Sequence, residues 1–265
     1  MSLSRREIEF HIRPHGIPRE MTMARWETPP GRPRLAKDEV HVWRISLPSI
    51  EPRRAWETLS DEERRRAARH RFAVHRSRFI AGRAALRAVL SAYLDVDAAD
   101  VPLVTGAGGR PRLAGDPDLD FNLAHSGDVA LIAVARGRAV GIDVERLRRG
   151  VPYDRLARRF FAPREAEDLR RVPAALRPAA FFACWTRKEA WLKASGYGLE
   201  RGLPSALPRF AVPVEPRLPA LAVTLPDRPE ESARWTLVDV GVGSGYAGAL
   251  AVEGPLQARF YLWAS

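Results

Sequence analysis

The stretch Ala139 to Leu147, AVGIDVERL, limits this chain more than any other nine residues. Val140, Ile142 and Val144 put β-branched side chains at alternate positions, the mark of a strand with one buried face. The same alternation sets Asp143 and Glu145 together on the other face, about 6–7 Å apart at their Cα atoms. Neither acid favours a strand, and like charges side by side repel. A positive group is expected between them, either an arginine or lysine or a metal ion. The plainer alternative is an edge strand whose acids face solvent, bridged by Arg146 or Arg148.

A second constraint lies in PAAFFACWTRKEAWLKASGYG, residues 178–198, which reads as a helix stopped by Gly196 and Gly198. At 100° per residue, Phe181, Phe182, Trp185 and Leu192 share an arc that also contains Glu189. Lys193 sits at the edge of that arc, Arg187 and Ala190 fall away from it, and Trp191 lies nearly opposite. A glutamate on an inward face is costly unless it is paired, ligated or lining a cleft. A surface Glu189–Lys193 pair at i,i+4 is the alternative. Three carboxylates converging on one cleft would suit Mg²⁺, whereas zinc finds no Cys/His ligand spacing here.

The charge balance bears on partners. Lys plus Arg is 43 against 32 Asp plus Glu, a formal charge of +11 over 265 residues. That excess favours anionic partners without choosing among nucleic acid, phosphorylated small molecules, acidic proteins and membrane surface. Cys184 is the one cysteine, so no intrachain disulfide forms and a reducing cytoplasm is the simplest compartment. No apolar run approaches a membrane span, and the N-terminal residues lack a signal-peptide core.

Element order sets the fold class. Residues 1–37 are polar, proline-bearing and aperiodic, and read as a poorly ordered extension. VHVWRISL (40–47) is the first strand. Ser60 and Glu63 form a capping box opening a basic helix, and a second helix carries Phe79, Leu86, Val89, Leu90 and Tyr93 on one stripe. After a glycine-rich loop come strands DLDFNLAHS and VALIAVARG, the acidic strand, and helices from about 163 to 171 and 178 to 195. LPRFAV, WTLVDV, YAGALAV and ARFYLWA read as closing strands. The order predicts an α+β protein of two similar lobes, 38–139 and 140–265.

Further candidates are weaker alone. FNLAHSGD carries His125 and Ser126 in a turn after a strand, but without the G-x-S-x-G elbow that a serine nucleophile wants. TGAGGRP lacks a P-loop pattern, although Arg110 within it could meet a phosphate bidentately. The basic run Arg64 to Arg71 is either a solvated helix face or a ligand contact.

Taken together and in order, GRPRL, FNLAHSGD, VGIDVE and WTRKEAWLKASGYGL resemble the signature motifs of the surfactin-type (Sfp-type) 4′-phosphopantetheinyl transferases. The resemblance runs from about Val40 to the last strands and is strongest between Gly109 and Leu199. It implies two pseudo-twofold-related α+β lobes, a monomer, with coenzyme A bound between them. The implied reaction moves phosphopantetheine from coenzyme A to a serine of an apo acyl or peptidyl carrier protein, releasing 3′,5′-ADP. By motif position, Asp143, Glu145 and Glu189 would bind Mg²⁺, and Glu189 would also take the serine proton, directly or through a water. Lys193 would hold the transferred phosphate or assist that proton transfer. His125 would reach a coenzyme phosphate, Arg110 would sit near the nucleotide end, and Arg66 and Arg69 match a phosphate-binding segment loosely. The chain departs from the pattern at Ala124, where serine is common, and at Arg110, where lysine is often found.

Two rivals remain at this stage. A metal-dependent nuclease would want an acid-x-lysine on the strand, and here Glu145 is followed by Arg146 and Leu147. A basic nucleic-acid-binding protein would use the arginine-rich helices but leaves the three acids without a purpose. The resemblance implies neither nucleic acid nor membrane as partner.

Overall fold

The computed structural model describes residues 25–29, 31–106, 109–116, 118–197, 203–216, 221–226 and 228–263. Its first half runs β1 (Trp26–Glu27), β2 (Glu39–Ser46), α1 (Pro52–Thr58), α2 (Asp61–Ala68), α3 (Ala73–Leu94), β3 (Leu103–Thr105), β4 (Pro111–Leu113), β5 (Leu119–Ser126) and β6 (Val129–Arg136). The second half runs β7 (Val140–Arg146), α4 (Tyr153–Phe160), α5 (Pro163–Arg171), α6 (Arg177–Ser195), α7 (Leu203–Ala206), α8 (Pro229–Ser232), β8 (Trp235–Asp239), β9 (Tyr246–Glu253) and β10 (Gln257–Leu262).

Two sheets result, one of order β1-β10-β2-β6-β5 and one of order β7-β9-β8, beside the small β3–β4 hairpin. The alternating pattern of β7 buries Val140, Ile142 and Val144 against Val40, Val42, Leu131 and Ala133 of the larger sheet. The outer face of the larger sheet packs on α3 through Trp43, Ile45, Leu86, Val89, Leu90, Phe121 and Ile132. The outer face of the smaller one packs on α6, where Ala190, Trp191 and Leu192 share a cluster with Leu237, Ala249 and Ala251. The layers are thus helix, sheet, sheet, helix, the α+β class expected. Each fully buried Val, Leu or Ile in these layers contributes about 1.5–3 kcal/mol.

Several expectations need correction. The last strand does not stay with the second lobe: β10 lies parallel to β2, Phe260 opposite Val42, inside the first lobe's sheet. The predicted extension is ordered from Trp26 on, since β1 pairs with β10 and Leu35 packs on the α3 core; residues 1–24 lie outside the described residues. LPRFAV forms a short 3₁₀ turn and one isolated bridge, Ala211 to Thr224, in place of a strand. Helix α6 is not amphipathic. Arg187, Lys188, Ala190 and Trp191 are all fully buried, because the segment carrying Leu207, Phe210, Val212 and Val223 closes over its far side.

Local signals set the helix ends. Ser60 Oγ accepts the Glu63 N–H at 3.3 Å and Glu63 Oε2 accepts the Ser60 N–H at 2.9 Å, the capping box read from sequence. Glu63 also receives Arg83 Nε and Arg87 Nε at 2.7 Å each, which ties α2 to α3. Gly196 ends α6 in the left-handed region at φ 70°.

Candidate active site

Strands β5 and β7 are edge strands of different sheets that run side by side, joined by side chains instead of a backbone ladder. Asp120 Oδ2 accepts Val140 N–H, Asn122 Oδ1 accepts Ile142 N–H, and Ser126 Oγ accepts Arg146 N–H, at 2.9–3.0 Å. The offset is 20 residues at each rung, and Ala124 stands where a fourth would face Val144. This seam satisfies the exposed edge of β7 and leaves its odd-numbered positions facing α6.

Gly141, Asp143 and Glu145 therefore point toward α6, and Gly141 is glycine for a reason. A Cβ there would lie 2.5 Å from the Ala194 nitrogen and press into the Ala190 carbonyl oxygen. With α6 this close, Glu189 and Lys193 meet the acids of β7. Lys193 Nζ donates to Asp143 Oδ1 at 2.6 Å and to the Ile142 carbonyl at 3.3 Å. The positive partner of Asp143 is thus a lysine from another element, while Glu145 Oε2 accepts from Ser126 Oγ at 2.7 Å. The solvent-facing alternative fails for Asp143, which is 6% exposed, and the surface-pair alternative fails for Glu189, which is 7% exposed.

The electrostatics follow from crowding acids out of water. Burial pushes the Asp143 carboxyl up to about 6, with Lys193 opposing and Glu145 adding to the rise. Burial, then Asp143 and Glu145, push Glu189 up to about 7, again against Lys193. Asp143 Oδ2 is buried without a hydrogen-bond partner. An orphaned carboxylate oxygen beside two further acids has a donor set of hard oxygens that fits Mg²⁺, which takes few protein ligands and keeps several waters. Among the described residues, however, no three His, Cys, Asp or Glu side chains are gathered closely enough to enclose an ion.

These groups open on a cleft of about 320 Å³ between the two lobes. Arg66, Phe79, Gly82, Arg83, Ala124 and His125 line it from the first half of the chain, and Asp143, Glu145 and Lys193 from the second. The first half thus brings two arginines and a histidine to the cleft, and the second brings two carboxylates with Lys193 bonded to one of them. His125 is exposed to the cleft, and its pKa is lowered by the surrounding walls, then by Lys193, Arg78, His70 and His75. Arg66 also donates to the Gly109 carbonyl at 3.2 Å, holding α2 against the glycine-rich loop.

Of the residues singled out in the sequence, Asp143, Glu145, Lys193, His125 and Arg66 line this cleft; Glu189 lies buried outside the lining, close enough to Asp143, Lys193 and Glu145 to feel their charges. Arg69 is not in the site: it caps the end of α2 on the exposed side, outside the cleft lining. Arg110 is turned away from the cleft, its guanidinium directed at Asp120 and at backbone carbonyls. Gly198 and Leu199 of the α6 motif lie outside the described residues. Arg83 has no place in the sequence reading, and Ser126, weighed there only as a nucleophile, is instead the partner of Glu145 and of the Arg146 N–H. Arg83 was legible as the i+4 neighbour of Phe79 on one helix face, and Ser126 as the residue two beyond Ala124 on the seam face of β5.

The motif lysine Lys188 is not in the site. Its Nζ donates to both Glu165 oxygens, at 2.9 and 2.7 Å, and to the Phe210 carbonyl at 2.5 Å, wholly buried on the far side of α6. Among the described residues, no helix is long and apolar enough to cross a membrane.

Comparison with known proteins shows the family. The 4′-phosphopantetheinyl transferase superfamily matches residues 139–251, and the N-terminal region of a 4′-phosphopantetheinyl transferase matches residues 43–137. The 4′-phosphopantetheinyl transferase HetI of Nostoc sp. strain PCC 7120 is 38% identical over 234 residues, covering 86% of this chain and 94% of its own length. The 4′-phosphopantetheinyl transferase psf-1 of Bacillus pumilus is 34% identical over 154 residues, 58% of this chain and 64% of its own. The human L-aminoadipate-semialdehyde dehydrogenase-phosphopantetheinyl transferase is 29% identical over 168 residues, 59% and 52% respectively. Two matched regions on either side of the seam, and a relative matched along nearly its whole length, place this chain in the 4′-phosphopantetheinyl transferase superfamily.

Proposed function

We propose that the inter-lobe cleft is where this transferase carries out its reaction, with residues 38–139 and 140–265 as the two lobes and β10 crossing back to the first. Coenzyme A would lie between Arg66, Arg83 and His125 of the first lobe and the acids of the second. The observation that carries this reading is Asp143: a buried carboxylate with one oxygen on Lys193 and the other without a partner, on a cleft whose lining also includes Arg66, Arg83 and Glu145.

Asp143, Glu145 and Glu189 would hold Mg²⁺. When bound, the ion supplies a positive charge for the coenzyme diphosphate and for the charge that develops on its leaving oxygen. Without the ion, burial and Asp143 push Glu189 up to about 7; Mg²⁺ binding would release that proton, leaving a carboxylate placed to accept the proton of an incoming serine hydroxyl. Lys193, one turn along α6, would neutralise the transferred phosphate while its bond to Asp143 sets the reach of its ammonium. His125 would donate to a coenzyme phosphate. The serine oxygen bonds to the β-phosphorus of the coenzyme, the bond from that phosphorus to the bridging oxygen breaks, and 3′,5′-ADP leaves.

A cytoplasmic monomer acting on acyl or peptidyl carrier proteins completes the proposal. Nucleic acid finds no support, since binding through the arginine-rich helices would leave Asp143, Glu145 and Glu189 without a purpose. The experiment is the mass of an apo carrier protein incubated with the enzyme, coenzyme A and Mg²⁺, with an EDTA control. A metal-dependent gain of one phosphopantetheine group is expected. Equal gain in EDTA would remove the metal from the reading, and equal gain with Glu189→Gln would remove that residue from the site.

A further inference from the structure

The resemblance puts Arg110 at the nucleotide end of the coenzyme. The geometry points to something else: we infer that Arg110 is a positioning residue, one guanidinium that fixes the mutual placement of the elements carrying His125, Asp143 and Lys193. This rests on the reading of the inter-lobe cleft as the transfer site.

The placement of its donors is specific. Nη1 donates to the carbonyl of Lys193 itself. Nη2 is shared among the Phe121 carbonyl at 3.0 Å, the Val140 carbonyl at 3.2 Å and Asp120 Oδ1 at 3.3 Å. Phe121 precedes His125 by four residues on β5, and Val140 precedes Asp143 by three on β7.

Each acceptor is one that would otherwise go begging. The Lys193 carbonyl lies in the last turn of α6, where carbonyls lack helical partners and a cation meets the negative end of the helix dipole. Val140 sits on the edge of its sheet, and Asp120 Oδ2 already accepts its N–H. Asp120 and Arg110 together therefore take up both backbone groups of Val140, as a neighbouring strand would. Both terminal nitrogens are spent in this way, and neither faces the cleft lining.

A planar fork spans three elements, whereas an ammonium on a flexible stem does not. A phosphate ligand would show the opposite preference, tolerating lysine because the charge is kept. That difference is the test. Arg110→Lys, Arg110→Ala and Asp120→Asn are compared with the wild-type full chain, using coenzyme A and its 3′-dephospho form as donors. The temperature is held well below each melting midpoint, with folding checked by circular dichroism.

Both Arg110 variants should lose kcat alike, by about ten-fold or more, the scale expected when reacting groups are slightly misplaced. The ratio of kcat/KM between the two donors should stay at its wild-type value. Asp120→Asn, which keeps the side chain's shape, should give the same pattern more weakly. Wild-type kcat in Arg110→Lys, with a raised KM for coenzyme A alone in Arg110→Ala, would make Arg110 a phosphate ligand and overturn the inference. Lower melting temperatures with unchanged kcat in all three variants would make the contact merely structural and overturn it equally. Glu189→Gln runs alongside as a control: if it retains transfer, the site reading fails independently of Arg110.

Discussion

Ser126 Oγ donates to Glu145 Oε2 at 2.7 Å while accepting the Arg146 N–H at 3.0 Å, so one hydroxyl fixes an acid of β7 by bonding the backbone next to it. Outer partners of this kind set the orientation of metal-ligating carboxylates. Ser126→Ala is expected to raise the Mg²⁺ concentration giving half-maximal transfer about ten-fold, while Ser126→Thr stays near wild type. Titrating Mg²⁺ at saturating coenzyme A checks this, and an unchanged requirement in the alanine variant would sink it.

The raised carboxyls make stability depend on pH in a particular sense. Asp143 and Glu189 hold protons more tightly in the fold than in the unfolded chain, with values of about 6 and about 7. Without metal, their protonated forms favour the fold, and that advantage is lost as pH rises from about 4 through those values. Glu189→Gln removes one buried charge, so the metal-free variant should be more stable than wild type at pH 8 by about 1–3 kcal/mol. Below about pH 4.5 the difference should vanish. Thermal melts in EDTA at both pH values decide the matter, and a variant less stable at pH 8 would contradict it.

Gly141→Ala should be severe for a steric reason. The new methyl group would push against the Ala190 carbonyl and lie 2.5 Å from the Ala194 nitrogen, forcing α6 off the sheet. A cost of about 3 kcal/mol is expected, with loss of transfer because Glu189 and Lys193 move with the helix. Urea midpoints together with transfer rates test this; wild-type values of both would show that α6 yields without cost.

Lys188 and Glu165 form a fully buried pair remote from the cleft. Lys188→Met should cost about 3–5 kcal/mol, since it strands a buried carboxylate. Removing both charges, with Glu165→Leu added, should recover part of that loss. The KM for coenzyme A of each folded variant should equal that of wild type. A several-fold rise in KM would return Lys188 to the binding machinery.

Much of this arrangement was legible in the sequence, and what was not shares one physical origin. Period-two alternation exposed β5 and β7, and β6 read as an unbroken apolar run; the acids of β7 could be joined to Glu189 only through the resemblance, since they stood on the face opposite the apolar one. The burial of Trp191 and Arg187 was hidden, because helical periodicity describes one covered face and cannot register a second layer laid over the back. Trp191 meets Phe210 at 4.4 Å between ring centroids, a contact made by a segment without regular structure. The contacts of Arg110 were hidden for a similar reason. Its side chain chemistry suits a phosphate and a bundle of carbonyls equally, and only the three-dimensional course of β5, β7 and α6 brings those carbonyls together.

The return of β10 to the first lobe bears on how the chain can be synthesised. Strand β2 needs a neighbour on each side, and one of them, Gln257–Leu262, is made only after the whole of the second sheet. Until then the first half carries an open edge on β2, through Val40 and Val42, and its sheet is incomplete. The first lobe cannot finish before the second has been made, so the two should mature as one cooperative unit. A break anywhere before residue 257 would therefore injure the lobe that was made first.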